Sequence, residues 1–194
     1  MIMFVKISDN IVKWMLSNHI IEENKTVICR WGISHILDTA FNIATFLIIG
    51  ILFKKPIETI VFTLGYIPLR IYAGGYHAKT PFRCWCLSNI ILAVSLVIVK
   101  NAEKCYIVFG ALSLIAAVVL IILMPVEDLH KPLEQNDRKK YKKRGMAILA
   151  VEICMSVALA LLHHNQISLV LNSIWVLLSV MLILGLIKNN LIKK

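Results

Sequence analysis

Arg70-Ile71-Tyr72-Ala73-Gly74-Gly75-Tyr76-His77-Ala78-Lys79-Thr80-Pro81-Phe82-Arg83-Cys84-Trp85-Cys86 is a polar, cysteine-bearing interruption between long apolar stretches. Gly74 and Gly75 supply backbone freedom and Pro81 cannot sit inside a helix, so the run ends one helix and starts another. Thr80 and Pro81 suit the cap and first residue of the new helix. Cys84 then falls in its first turn beside Arg83, where unpaired N–H groups and a cation favour an anionic nucleophile. On one unbroken helix His77 and Cys84 would stand about 10.5 Å apart, so the break is what lets an imidazole fold back toward the thiol. The residues read as an active-site loop with Cys84 as its nucleophile.

Outward from this loop the chain is apolar. Its 194 residues are 59% hydrophobic and 16% charged, with a mean hydropathy of +0.78, which is the composition of an integral membrane protein. The net charge of +10 comes from Lys and Arg between apolar runs, a pattern of orientation signals and lipid headgroup contacts, not of nucleic-acid binding. Five cysteines, Cys29, Cys84, Cys86, Cys105 and Cys154, are odd in number without paired metal spacing and read as free thiols in a reducing compartment. The N-terminus does not read as a signal peptide and is expected to be retained.

Taken in order, residues 1–30 carry apolar residues at near-helical spacing among charges, an amphipathic helix lying on the membrane or packed on the protein. Residues 31–194 are expected to form a single membrane-embedded domain. Its spans are predicted at 33–53, 57–73, 84–99, 105–124, 146–162 and 167–187, with 57–73 crossing tilted or entering only partway. The fold class is therefore all-α, a polytopic bundle of about six transmembrane segments behind an amphipathic helix. The polar stretch 125–145 holds Lys139, Lys140, Lys142, Lys143 and Arg144 and is placed in the cytoplasm by the positive-inside rule. Counting back puts the active-site loop on the same side. Lys54 and Lys55, on the outer side, run against the rule.

Cys84 has a rival in Cys86, which on a regular helix points about 200° away. A zinc site from His77, Cys84 and Cys86 lacks a fourth ligand. Arg70 at a membrane boundary commonly snorkels. Asp38, inside the first span, needs a partner, for which Arg70 and protonated His77 are the cations at comparable depth. It is a candidate to orient His77, ahead of Glu152 and Asn89. A reading of another class is a small transporter or channel whose path is lined by His35, Asp38 and Glu58.

The pattern of Arg70, Gly74-Gly75, His77 and Cys84, with the overall size, basic segment and layout, resembles the accessory gene regulator protein B (AgrB) family. These are membrane cysteine peptidases of bacterial peptide quorum sensing. The resemblance implies that His77 and Cys84 are the catalytic pair and that Arg70 and Gly75 support them. It implies an AgrD-like propeptide substrate with an amphipathic leader, a central segment containing a cysteine or serine, and an acidic tail. The tail would be removed and the central segment closed into a thiolactone or lactone. Lys139, Lys140, Lys142, Lys143 and Arg144 are expected to recruit that tail. No cofactor or metal is called for, the lipid bilayer is the other partner, and a homodimer is compatible with these features.

Overall fold

The structure, a computed structural model, describes residues 4–76, 78, 80–127 and 134–192. They form seven α-helices: α1 (Val5–Ser17), α2 (Thr26–Leu52), α3 (Pro56–Ala73), α4 (Pro81–Ala102), α5 (Tyr106–Leu123), α6 (Gln135–Leu161) and α7 (Asn165–Ile192). Five stretches are long and apolar enough to cross a membrane: 23–52, which includes α2, together with α4, α5, α6 and α7. The protein is an all-helical membrane protein.

Of the six expected spans, the one absent from those five is α3, expected as the second. Glu58, Pro68 and Arg70 lower its apolarity, yet it traverses the bundle. Lys55 before its first turn donates to Gln166 Oε1 at 3.2 Å, while Tyr72 in its last turn packs edge-on against Tyr141 of α6 at 5.5 Å. A helix of 18 residues is about 27 Å long, comparable to the hydrocarbon core. Thr59, Phe62, Gly65, Tyr66, Leu69 and Ala73 are buried, so much of α3 faces protein and needs less lipid-compatible surface.

At the centre stands α7, which packs against α3, α4, α5 and α6. Its Leu169, Ile174, Trp175, Leu178 and Leu182 are buried with Phe62 and Leu69 of α3, Leu92 and Leu96 of α4, and Leu120 of α5. Hydroxyl pairs thread this core: Ser95 with Ser173 at 2.5 Å, Ser156 with Ser168 at 2.9 Å and Tyr106 with Ser168 at 3.0 Å. Small polar residues of this kind let helices approach closely and satisfy each other where water is absent. Conversely, Ile107, Val108, Ile115 and Ile122 of α5 and Ile36, Ile48 and Ile51 of α2 are exposed, an apolar surface suited to a bilayer.

Two boundaries differ from the sequence expectation. A 3-10 turn at Glu23–Lys25 runs directly into α2, so α2 starts within the stretch assigned to the amphipathic segment. And the basic residues 138–144 are not a loop; they are the opening turns of α6, whose polar residues continue the helix beyond the apolar portion. The N-terminal helix α1, expected to lie on the membrane or to pack on the protein, packs on α2. Ser34 of α2 donates to its buried Ser8 at 2.6 Å and Arg30 pairs with Asp9 at 2.6 Å, while Ile7 and Trp14 stay exposed.

Alternation of the helices collects the C-terminal ends of α3, α5 and α7 and the N-terminal ends of α4 and α6 at one end of the bundle. The active-site loop and the basic residues of α6 share this end, hereafter the loop end.

Candidate active site

The loop begins where α3 stops. Gly74, at φ +72°, caps the helix, and Gly75 follows at φ +112°, conformations that residues with a side chain rarely adopt. The backbone here is stitched to two other elements. The Gly75 N–H donates to the Val126 carbonyl at 3.1 Å, the Val126 N–H to the Ala73 carbonyl at 2.9 Å, and the Tyr76 N–H to the Met181 carbonyl of α7 at 2.9 Å. Gly74 and Val126 form an isolated parallel bridge. A Cβ on Gly185 of α7 would come within 2.7 Å of Gly75 C and 2.8 Å of Tyr76 N, so that glycine is what lets the loop settle on the helix.

Arg70, one turn before Gly74, donates through Nη1 to the Gly74 carbonyl and through Nη2 to the Tyr76 carbonyl. The planar fork spans the turn, a geometry that a lysine cannot reproduce. It neither snorkels nor pairs with Asp38. The corresponding expectations are thereby corrected, because the loop carbonyls left over by the bend compete for the same guanidinium and lie nearer in the chain.

α4 starts as its sequence indicates. Pro81 is the first helical residue, and the Thr80 hydroxyl accepts from the Arg83 N–H at 3.3 Å, satisfying one of the free donors of the first turn. The Cys84 N–H donates to the Thr80 carbonyl at 3.1 Å. The two cysteines separate on this helix. Cys84 is continued at helical spacing by Ser88, then the buried Ile91, Leu92, Ser95 and Val99, whereas Cys86 is continued by the exposed Ile90, Val94 and Val97. Cys84 heads the inward row and Cys86 the outward one. Buried Tyr66 of α3 interacts electrostatically with both Arg70 and Cys84.

An aromatic wall covers the outer side. Trp85 packs with Phe82 at 5.6 Å and with Phe41 of α2 at 5.7 Å, and its indole N–H donates to Thr45 at 3.2 Å. Asp38, half-buried, lies one turn before Phe41 and Asn42 on this same side of α2. Glu152 and Asn89 each have one side-chain atom engaged. Glu152 Oε2 accepts from Trp175 at 2.8 Å, and the Asn89 amide donates to the Trp85 carbonyl at 2.8 Å. His77 lies outside the described residues.

Lys139, Lys140, Lys142, Lys143 and Arg144 are exposed at the loop end. Arg144 stands over the Tyr72 ring at 5.8 Å, and a Cβ on Gly145 would meet Met124 Sδ at 2.8 Å, so the basic turns of α6 lean directly on the end of α3. Tyr66, Val126, Met181 and Gly185 were not recognised from sequence. Gly185, a small residue isolated in an apolar helix, is the one that carried a signal, since such residues mark close approach.

A helical membrane protein with a capped cysteine beside a pinned Gly-Gly loop defines the class. Residues 8–188 match the family model Accessory gene regulator B, and the chain belongs to that family, whose members take part in processing quorum-sensing peptides. It is 26% identical over 151 residues to an AgrB-like protein of Clostridium perfringens (strain SM101 / Type A), covering 74% of this chain and 70% of the relative. With protein FsrB of Enterococcus faecalis (strain OG1RF) it shares 24% over 168 residues, 83% and 68% of the two chains. With accessory gene regulator protein B of Staphylococcus carnosus (strain TM300) it shares 25% over 108 residues, 56% of each. No solved structure matches.

Proposed function

We propose that the protein is a membrane cysteine endopeptidase that cuts the C-terminal tail from a small AgrD-like autoinducer propeptide and promotes cyclisation of the remainder. Cys84 is the nucleophile and His77 its base. The thiolate attacks the peptide carbonyl, the C–N bond breaks, and the proton taken from the thiol is delivered to the leaving amine. An internal cysteine or serine of the substrate then attacks the resulting thioester, displacing Cys84 and closing a thiolactone or lactone. Exchange between thiols conserves bond type and costs little free energy. Water is the competitor, and the Trp85, Phe82 and Phe41 wall limits it while the tethered thiol enjoys a high effective concentration.

The observation that carries this reading is the position of Cys84 at the head of the inward row of α4, beside a loop whose backbone is fixed from three elements. Arg70 and Gly75 act as positioning residues by holding the turn that leads to His77, and Asp38 is proposed to orient His77 from α2. The concentration of Lys and Arg at the loop end supports a cytoplasmic position for that end. The transporter reading finds less support. Glu58 is at the opposite end of the bundle, paired with Lys55 at 2.7 Å, and His35 is exposed against Trp31, so His35, Asp38 and Glu58 do not line one path.

The test is tail release from a fluorescent propeptide by purified protein in bilayers. Cys84→Ala and His77→Ala should each abolish release, and Cys86→Ala should leave it within about three-fold of the parent. Equal loss in Cys84→Ala and Cys86→Ala would argue that thiol removal disturbs the fold and not the chemistry.

A further inference from the structure

The last turns of α7 divide into two faces. Met181, Gly185, Lys188 and Asn189 fall within about 100° of arc on this helix, whereas Ile183, Leu184, Ile187 and Leu191 occupy the other side and are exposed. Each member of the first set meets the active-site loop or its bridge partner. The Met181 carbonyl accepts from the Tyr76 N–H, Gly185 leaves the space that the loop backbone fills, and Lys188 Nζ stands 5.4 Å over the Tyr76 ring. The Asn189 amide donates to the Glu127 carbonyl at 2.7 Å. Glu127 follows Val126, which bridges Gly74, so one helix end holds both partners of the bridge.

Lys188 and Asn189 are half-buried, while the adjacent Asn190 and the lysines Lys139, Lys140, Lys142 and Lys143 of α6 are exposed. A lysine that only set topology or met lipid headgroups would extend outward like those of α6; this one lies over a ring. Tyr76 is thereby constrained three times, its N–H by Met181, its carbonyl by Arg70 and its ring by Lys188. It immediately precedes His77, so its orientation sets the direction in which the chain enters the proposed base.

We infer that Lys188 and Asn189 are positioning residues, a clamp at the end of α7 that fixes Tyr76 and residues 126–127 and through them places His77 for its work with Cys84. The inference rests on the reading of His77 and Cys84 as the catalytic pair. Neither clamp side chain takes part in making or breaking a bond. A cation on a ring face and an amide on a carbonyl restrict the loop before substrate arrives, so their loss falls on the chemical step and not on substrate affinity.

The test measures tail release by the full-length protein in bilayers together with amide hydrogen exchange of the loop. Lys188→Gln should lower kcat about 5- to 20-fold with KM within about two-fold of the parent, and Lys188→Arg, which keeps a cation for the ring, should recover most of the rate. Asn189→Asp, of the same size but without the amide donor, should also lower kcat. Lys188→Gln combined with Asn190→Lys restores the charge of this end on the exposed face and should stay as slow as Lys188→Gln alone. Exchange at the Gly75 and Tyr76 amides should quicken about 10-fold in Lys188→Gln, while Asn190→Ala should match the parent in both readouts. Recovery of the rate by Asn190→Lys would assign Lys188 to topology or headgroup binding and overturn the inference. A loss confined to KM, a parental kcat in Lys188→Gln, or unchanged loop exchange would overturn it too. Tail release that survives Cys84→Ala would defeat the peptidase reading instead, and the clamp would then stand or fall on loop exchange alone.

Discussion

Gly75 is held at φ +112° between Arg70 Nη1 and the Met181 carbonyl, which an added Cβ would approach to 2.4 and 3.1 Å. Backbone strain in this region costs about 1–3 kcal/mol for a residue with a side chain, and here the side chain would also displace the guanidinium. Gly75→Ala is therefore expected to lower the melting temperature and remove most tail release. Arg70→Lys should do the second without much of the first, because an ammonium can serve one of the two carbonyls but not both. Tail-release kinetics alongside thermal unfolding in detergent separate the two effects. Of these residues, the Arg70, Gly74-Gly75 and Cys84 pattern was legible in the sequence because glycines, a proline and a cap act locally. Where Arg70 sends its donors was not, since that depends on carbonyls exposed only once the turn has formed.

At the scale of elements, α7 decides where the loop lies. Gly185→Ala would place a methyl 2.7 Å from Gly75 C, and one of the two must move. The expected outcome is a fall in kcat of at least about 10-fold with little change in KM, the signature of misplaced catalytic groups. Gly110→Ala, where nothing lies within 4 Å of an added Cβ, is the control and should be silent. Thr80→Ala removes the cap of α4 and is expected to cost about 1 kcal/mol of stability. The helices themselves were readable from apolar runs and their polar punctuation. The register of α7 against the loop was not, because it is set by contacts between residues more than a hundred positions apart. Likewise the polar opening of α6 reads as a loop from composition, while Tyr141, Arg144 and Gly145 against Tyr72 and Met124 hold it helical.

For the whole molecule, antiparallel packing brings the thiol, the pinned loop and the basic turns of α6 to one end. Reversing Lys139, Lys140, Lys142 and Lys143 to glutamate should raise KM for a propeptide with an acidic tail, more at low salt than at high, and leave kcat largely intact. An unchanged KM with preserved orientation would mean that these charges set topology alone. Orientation itself can be read with a membrane-impermeant maleimide on intact cells in a background lacking the exposed Cys105 and Cys154. Asn136→Cys at the loop end should be protected and His164→Cys at the opposite end labelled. The central claim is that Cys84 carries the acyl group between cleavage and ring closure, and intact-protein mass spectrometry tests it most directly with a propeptide whose internal cysteine is replaced by alanine. One tail should be released per protein, after which reaction stalls with the acyl fragment attached at Cys84. Continuous turnover of that substrate to a linear hydrolysed product at the normal rate, with no adduct on Cys84, would contradict it.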